Sequence, residues 1–111
     1  MRAYHVTERK NWQQIQESGI RSFDRLVEDG EAPDWKWDEA PEGHDGYWVS
    51  LFRAGQREEL GWFLEDGWVD NPIIIELDLP EDGSLRIGTN DEGYLSVAHH
   101  IPAEYIVGLV N

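Results

Sequence analysis

The clearest pattern along the chain is the alternation of apolar and polar positions from Pro72 to Pro80, which reads Pro-Ile-Ile-Ile-Glu-Leu-Asp-Leu-Pro. Side chains of a β-strand point alternately to opposite faces. One face of this strand is therefore predicted to be apolar, and the other to carry the carboxylates of Glu76 and Asp78. The consecutive isoleucines indicate burial on both faces at the start, and the flanking prolines predict the two ends. We expect an interior strand that becomes acidic at its far end.

Other segments show the periodicities of short strands and amphipathic helices. Thr7 is the predicted N-cap of a helix that runs to Ser18 and ends at Gly19. Arg53–Asp66 has the spacing of a second helix, and one further helical turn is expected at Phe23–Val27. Strands are predicted at the remaining alternating segments: Arg2–Val6, Gly46–Phe52, Ser84–Ile87, Tyr94–Ala98 and Tyr105–Val110. Together these elements predict one α+β domain over residues 1–111, with a small, mostly antiparallel, twisted sheet and two or three helices.

Residues 24–46 lack sustained periodicity and contain several glycines and prolines, so they are predicted to form a long acidic loop. Loops of this length in compact domains are usually functional or disordered. Trp35 and Trp37 within the loop, and Trp68 further on, lie beside acidic residues. That mixture is typical of aromatic anchors at a protein interface, and equally of a loop held to its own domain by its indoles. Three other tryptophans fall on apolar faces and are predicted core residues: Trp12, Trp48 and Trp62.

The charge of the chain narrows the functions to be expected. It has 23 acidic residues against 9 Lys and Arg, a net charge of −14, and no Cys. Such a field repels nucleic acid and anionic membranes and attracts cationic surfaces. The missing cysteines exclude disulfides, thiolate metal sites and cysteine nucleophiles. No apolar run reaches the ~20 residues of a membrane helix, and no signal-peptide core is found. We therefore expect a cytoplasmic protein, located in the host cell if a phage encodes it.

The negative charge is also segregated. Residues 1–23 sum to 4 − 2 = +2, residues 24–45 to 2 − 9 = −7, and residues 58–92 to 1 − 11 = −10. Solubility explains many acidic surfaces but does not require segregation. Side chains two apart on a strand repeat every ~6.6 Å, close to the ~6.8 Å rise of two steps along one DNA strand. The pattern predicts an acidic surface that a basic groove could accept in place of DNA: Asp24, Glu28, Asp29, Glu31, Asp34, Asp38, Glu39, Glu76, Asp78, Glu81 and Asp82.

Three segments, taken in order, are similar to the motifs of a known family. Tyr4-His5-Val6-Thr7, Gly46-Tyr47-Trp48-Val49-Ser50 and the segment from Tyr94 to Ile106 resemble the opening, the second core strand and the closing segment of ADP-ribosyltransferase-like proteins. The resemblance touches about half of the chain. It implies an ADP-ribosyltransferase-like fold and NAD as cofactor. It also implies a site in which His5 and Tyr47 hold the dinucleotide and Glu92 polarises the ribose 2′-hydroxyl.

Two functions from different classes therefore stay open. The first is a non-enzymatic acidic inhibitor, without a cofactor, that mimics nucleic acid and blocks the basic groove of a nucleic-acid-binding complex. Its composition is similar to that of small phage-encoded anti-CRISPR proteins, so a CRISPR effector is one such partner. The second is an ADP-ribosyltransferase or related NAD-using enzyme with the catalytic residues His5, Tyr47 and Glu92. A plain acidic scaffold is a third alternative. No metal site is predicted, because the histidines and the acidic loop lack zinc and calcium spacings.

Overall fold

A computed structural model of the chain shows an α+β fold built on an antiparallel sheet. It describes residues 1–30, 48–67, 69–89 and 93–110. The strands in these residues are β1 (Arg2–Glu8), β2 (Ile20–Arg21), β3 (Trp48–Arg53), β4 (Pro72–Asp78), β5 (Ile87–Thr89), β6 (Leu95–Ala98), β7 (His100–Ile101) and β8 (Ile106–Leu109). Six of them form one sheet in the order β5-β6-β3-β1-β4-β8, with every neighbouring pair antiparallel, and β2 pairs with β7 separately.

Within the described ranges, three α-helices pack around the sheet: α1 (Trp12–Ser18), α2 (Phe23–Glu28) and α3 (Arg57–Glu65). Short 3₁₀ turns at Arg9–Asn11 and Ala103–Tyr105 precede α1 and β8. The predicted helical turn near Phe23 is confirmed as α2, which begins after Ser22 because the Ser22 hydroxyl accepts a hydrogen bond from the Arg25 N–H at 3.2 Å. The coarse prediction of an α+β fold with a mostly antiparallel sheet is thus confirmed.

The core lies on one face of the sheet, and β4 contributes three residues to it, more than any other described strand, as its alternation predicts. Ile73, Ile75 and Leu77 are at most 4% exposed. Across the ladder, β1 places Ala3 opposite Leu77 and His5 opposite Ile75. Residues of the neighbouring strands, of α1 and of the β2–β7 ribbon complete this core: Ile15, Ile20, Val49, Leu51, Leu95, Val97 and Ile101.

The opposite face of the sheet is covered in part by α3. The Phe63 ring of this helix lies 5.6 Å from Phe52 of β3, and Tyr94 meets Phe52 edge-on at 5.5 Å. Trp62, one position before Phe63, points away from the sheet and is 59% exposed. The prediction that Trp62 is a core residue is therefore wrong, because Phe63 occupies the inward position. Trp12 and Trp48 are half-buried.

Several predicted boundaries differ from the observed ones because pairing across the sheet extends or shifts the strands. Thr7 does not cap a helix. It stays in β1 opposite Ile73, and its hydroxyl accepts a hydrogen bond from Asn11 Nδ2 at 3.1 Å, while α1 begins only at Trp12. Arg53 likewise belongs to β3, so α3 begins four residues later than predicted.

The predicted strand Ser84–Ile87 is also wrong. A turn occupies its start, where the Ser84 N–H donates to Asp82 Oδ1 at 3.0 Å, and the strand itself is β5 at Ile87–Thr89. The predicted strand Gly46–Phe52 is described only from Trp48 onward and extends to Arg53.

Candidate partner-binding surface

Part of the predicted acidic surface lies on or beside α2: Asp24, Glu28 and Asp29. Asp24 is exposed. The Asp29 carboxylate accepts hydrogen bonds from Arg21 at 2.9 Å and from Arg25 at 3.1 Å. The hydrogen bond from Arg21, supported by Arg25, lowers the pKa of Asp29 below its usual 3.8. Glu28 lies 3.0 Å from the Nε2 atom of His99. The carboxylates of Glu28 and Asp29 are thus already engaged within the molecule.

A second part lies on β4 and the turn after it: Glu76, Asp78, Glu81 and Asp82. Glu76 is 3.9 Å from Arg2 Nε, and the Met1 amino group is 3.4 Å from Asp78 and 4.0 Å from Glu81. Hydrogen bonds from Ser84 lower the pKa of the remaining carboxyl group, that of Asp82. Positive groups at the start of β1 therefore offset much of the charge of this group.

These two groups lie at opposite ends of the sheet. Asp78 pairs with Arg2 at the start of β1, whereas His99, the partner of Glu28, follows the strand end that pairs with Trp48. Because β1 and β3 are antiparallel neighbours, the two ends are separated by nearly a strand length, about 20 Å. The described members of the predicted surface form two separate groups. Its other members and the aromatic anchors lie outside the described residues: Glu31, Asp34, Trp35, Trp37, Asp38, Glu39 and Trp68.

His5 is the one described residue of the predicted dinucleotide site, since Tyr47 and Glu92 also lie outside the described ranges. His5 is half-buried on β1, and its Nδ1 is 3.1 Å from the Ser50 carbonyl oxygen. A carbonyl only accepts, so Nδ1–H donates and the Nε2 atom of the neutral ring is an acceptor. Burial lowers the pKa of His5 below 6.5, against a smaller opposing effect of the Ser50 hydrogen bond. The imidazole is therefore neutral at pH 7.

A third acidic surface, absent from the sequence prediction, lies on the side of α3 that faces away from the sheet. Exposed Trp62 has an acidic residue three and four positions before it and three and four positions after it: Glu58, Glu59, Glu65 and Asp66. Residues at these spacings are neighbours on a helix surface. None of the four carboxylates forms an ion pair with another described residue. We call Trp62 and these four residues the α3 outer face.

The sequence contains the spacing that forms the α3 outer face, with acidic residues three and four positions before and after Trp62. What the sequence did not decide was the rotation of the helix, because Trp62 and Phe63 are both large aromatic residues and either satisfies an apolar stripe. Once Phe63 contacts Phe52, Trp62 must turn toward solvent. Glu58, Glu65 and Asp66 are exposed with it, and Glu59 is half-buried.

The described residues contain no group of three or more His, Asp or Glu side chains placed to hold a metal ion. None of the helices in the described ranges has both the length and the apolar character needed to cross a membrane. A scan of protein-family models found no model that matches this chain, and a search of curated proteins found no match.

Proposed function

We propose that this protein is a non-enzymatic inhibitor that binds the basic, nucleic-acid-binding groove of another protein. The observation that carries the proposal is the α3 outer face, where a tryptophan exposed to 59% is surrounded by four carboxylates without a described ion-pair partner. Carboxylates that are not engaged within the molecule are available to Lys and Arg of a partner. Asp29 and Asp78, by contrast, are already in contact with cationic groups of their own chain.

The geometry of the α3 outer face suits a groove that normally holds phosphates. Glu58 and Glu65 are seven residues apart on the helix, or ~10 Å along its axis, which is near the ~10 Å rise of three steps of one DNA strand. Trp62 between them offers a ring for cation–π contact with Arg and an apolar surface to bury. The carboxylates attract the protein toward a basic groove, and the indole of Trp62 provides the apolar contact that holds it there.

The net charge of −14 extends this attraction beyond the contact surface. A field of this sign accelerates encounter with a basic groove and disfavours encounter with DNA itself. Guide-loaded CRISPR effectors hold nucleic acid in a positively charged channel, and we propose them as the first partners to test. Binding of this kind weakens as salt rises, because the attraction between the two surfaces is screened.

The test is competition for DNA. Guide-loaded CRISPR effectors, with a DNA-binding restriction enzyme for comparison, are mixed with labelled target DNA and increasing amounts of the protein, and the bound DNA is measured at low and high salt. We expect displacement of DNA from an effector, strongest at low salt. A variant with Trp62→Ala and four neutralised carboxylates should require at least ~10-fold more protein for the same displacement: Glu58→Gln, Glu59→Gln, Glu65→Gln and Asp66→Asn.

A matched control removes the same number of negative charges elsewhere, at exposed positions: Glu17→Gln, Asp24→Asn, Glu81→Gln and Glu104→Gln. This control should change the displacement by less than ~3-fold, since it lowers the steering charge but leaves the contact surface intact. Equal losses in the two variants, or no displacement of DNA from any of the complexes, contradict the proposal.

The second candidate is an ADP-ribosyltransferase-like fold with NAD-dependent activity at His5, Tyr47 and Glu92. The supporting observation is the neutral, half-buried His5, whose Nδ1 is fixed by Ser50 and whose Nε2 is left as an acceptor for a ribose hydroxyl. Labelled NAD is incubated with the protein and cell lysate. This candidate requires transfer of label that is lost in both His5→Ala and Glu92→Gln. Absence of transfer by the unaltered protein, or transfer that persists in Glu92→Gln, excludes the proposed site.

A further inference from the structure

We propose that β8 is a strand-addition site at which a second copy of this chain binds, so that two copies pair their β8 strands antiparallel and share one continuous sheet. This inference is independent of the proposed inhibitor function. It rests on the outer edge of β8, which pairs with no strand in the described part of the chain, on two grooves beside it, and on the lack of charged side chains from Tyr105 to Val110.

β8 is the last strand of the six-stranded sheet, and β4 is its neighbour on the inner side. Its apolar side chains are poorly covered, with Val107 at 53% and Leu109 at 36% exposure. Natural edge strands are usually protected by charged side chains, proline or a covering loop. The opposite edge of the sheet is β5. There the Arg53 guanidinium donates hydrogen bonds to Thr89 Oγ1 and to the Gly93 carbonyl, each at 2.8 Å. β8 carries no charged side chain and no proline, although it is only four residues long and its register against β4 shifts between Glu76 and Leu77.

Two shallow grooves border β8. The groove on the core side is about 280 Å³ and lies between Trp12 of α1 and Ile106–Gly108. The second groove is about 180 Å³ and lies at the end of β8 beside the start of β4; Leu64 of α3 and the side chain of Arg9 also line it. A strand added beside β8 directs its side chains alternately to both faces. In peptide recognition by strand addition, backbone hydrogen bonds hold the added strand and pockets receive its alternate side chains.

The charge of the chain favours a second copy as the occupant. Tyr105 to Val110 contains no Asp, Glu, Lys or Arg, although the chain as a whole carries −14. Two copies that meet along β8 therefore place no carboxylates of this segment against each other. An antiparallel pair of identical strands is also related by a two-fold axis, which is the commonest symmetry of homo-oligomers. The segment is thus complementary to itself in hydrogen bonding and in polarity.

We expect the dimer to be weak and to respond to salt in a characteristic direction. A four-residue strand buries less surface than the ~1,200 Å² of a standard stable interface, so we expect a dissociation constant of about 0.1 mM. Beyond the contact, two strongly acidic bodies repel each other. Raising the salt shortens the Debye length from ~14 Å at ~0.05 M to ~4 Å at ~0.5 M and relieves that repulsion. Dimerisation should therefore strengthen with salt, whereas binding to a basic groove weakens.

The experiment is sedimentation velocity of the full chain from about 10 µM to about 1 mM in ~0.05 M and ~0.5 M NaCl. The dimer fraction should rise with protein concentration and with salt. Val107→Lys places a charge in the new ladder and should weaken dimerisation at least ~10-fold at the higher salt. Because Val107 is exposed, the fold of the monomer should be retained, which circular dichroism checks.

Val27→Lys is the matched control, since Val27 is 50% exposed on α2 and lies far from β8 in the fold. Both variants change the net charge from −14 to −13, so general repulsion eases equally in both. Loss of the dimer in Val107→Lys alone supports the proposal. A chain that stays monomeric throughout, or a dimer that both variants weaken equally, overturns it. The competition experiment is unaffected by either result, so failure of one proposal is distinguishable from failure of the other.

Discussion

Gly19 is the residue on which the junction between α1 and β2 depends. Its φ of +80° lies in the left-handed region, and its N–H closes α1 by donating to the Ile15 carbonyl at 2.8 Å. A Cβ at this position would collide with the Ile101 carbonyl oxygen and lie 2.9 Å from His100 Nε2. Gly19→Ala is therefore expected to lower the free energy of unfolding by about 2–4 kcal/mol, from backbone strain and the collision together. Urea denaturation followed by tryptophan fluorescence measures the change.

Gly61→Ala makes the contrasting variant. Gly61 lies inside α3, and a Cβ there would meet no atom within 4 Å. Alanine should therefore stabilise the helix by about 1 kcal/mol, through its higher helix propensity. Gly19→Ala should thus destabilise the protein and Gly61→Ala should stabilise it. If Gly19→Ala also left the free energy of unfolding unchanged or higher, the backbone at residue 19 would not be constrained by its φ and its contacts.

At the scale of single residues, the sequence is informative where one residue type has no substitute. Gly19 was predicted at a helix end because glycine is the residue that adopts a left-handed conformation without strain. The sequence places Trp62 on an apolar face and so predicts a core residue, although its neighbour Phe63 is equally able to fill the inward position. The difference between them is set by contact with Phe52 on a strand distant in sequence. Local pattern carries no information about such a contact.

At the scale of elements, long strands with one apolar face were predicted well, and short or pairing-dependent elements were not. The alternation of β4 foresaw both its buried face and its acidic face. The ladder with β4 continues along β1 as far as the pair Glu8–Pro72, and this pairing overrides the local signal for a helix cap at Thr7. β2 and β7 have two residues each, too few to show a period of two.

The candidate binding surface could be predicted from the sequence only in part, for the same reason. The composition predicts an acidic surface. It does not predict which carboxylates remain free of ion pairs within the molecule and can therefore bind a partner. Arg25 reaches Asp29 through the i,i+4 spacing of α2 itself. Arg21, by contrast, reaches Asp29 because α2 folds back against β2, and Arg2 reaches Glu76 through the β1–β4 ladder. The last two contacts depend on tertiary pairing. They leave α3 as the described helix with the most carboxylates outside ion pairs.

At the scale of the whole molecule, the charge that would serve binding is expected to cost stability. The chain has 9 Lys and Arg against 23 acidic residues, and several of the cations are already in ion pairs: Arg2, Lys10, Arg21 and Arg25. The acidic residues left over repel one another in the folded state and are further apart in the unfolded chain. Salt screens this repulsion. The melting temperature should therefore rise as NaCl is increased, although individual surface ion pairs weaken slightly.

The α3 outer face should contribute a measurable share of that repulsion. Neutralising two of its carboxylates at the C-terminal end of α3, in Glu65→Gln with Asp66→Asn, is expected to raise the melting temperature by about 2–4 °C at low salt, since neither forms an ion pair with another described residue. The gain should shrink in ~1 M NaCl, where the Debye length is only ~3 Å. Differential scanning calorimetry of both proteins at the two salt concentrations measures this. A gain that is the same at both concentrations would point to helix propensity rather than charge, because propensity is not screened. A stabilised variant that also loses the ability to displace DNA would show that these carboxylates are retained for binding at the expense of stability, as stability and function often oppose each other at binding sites.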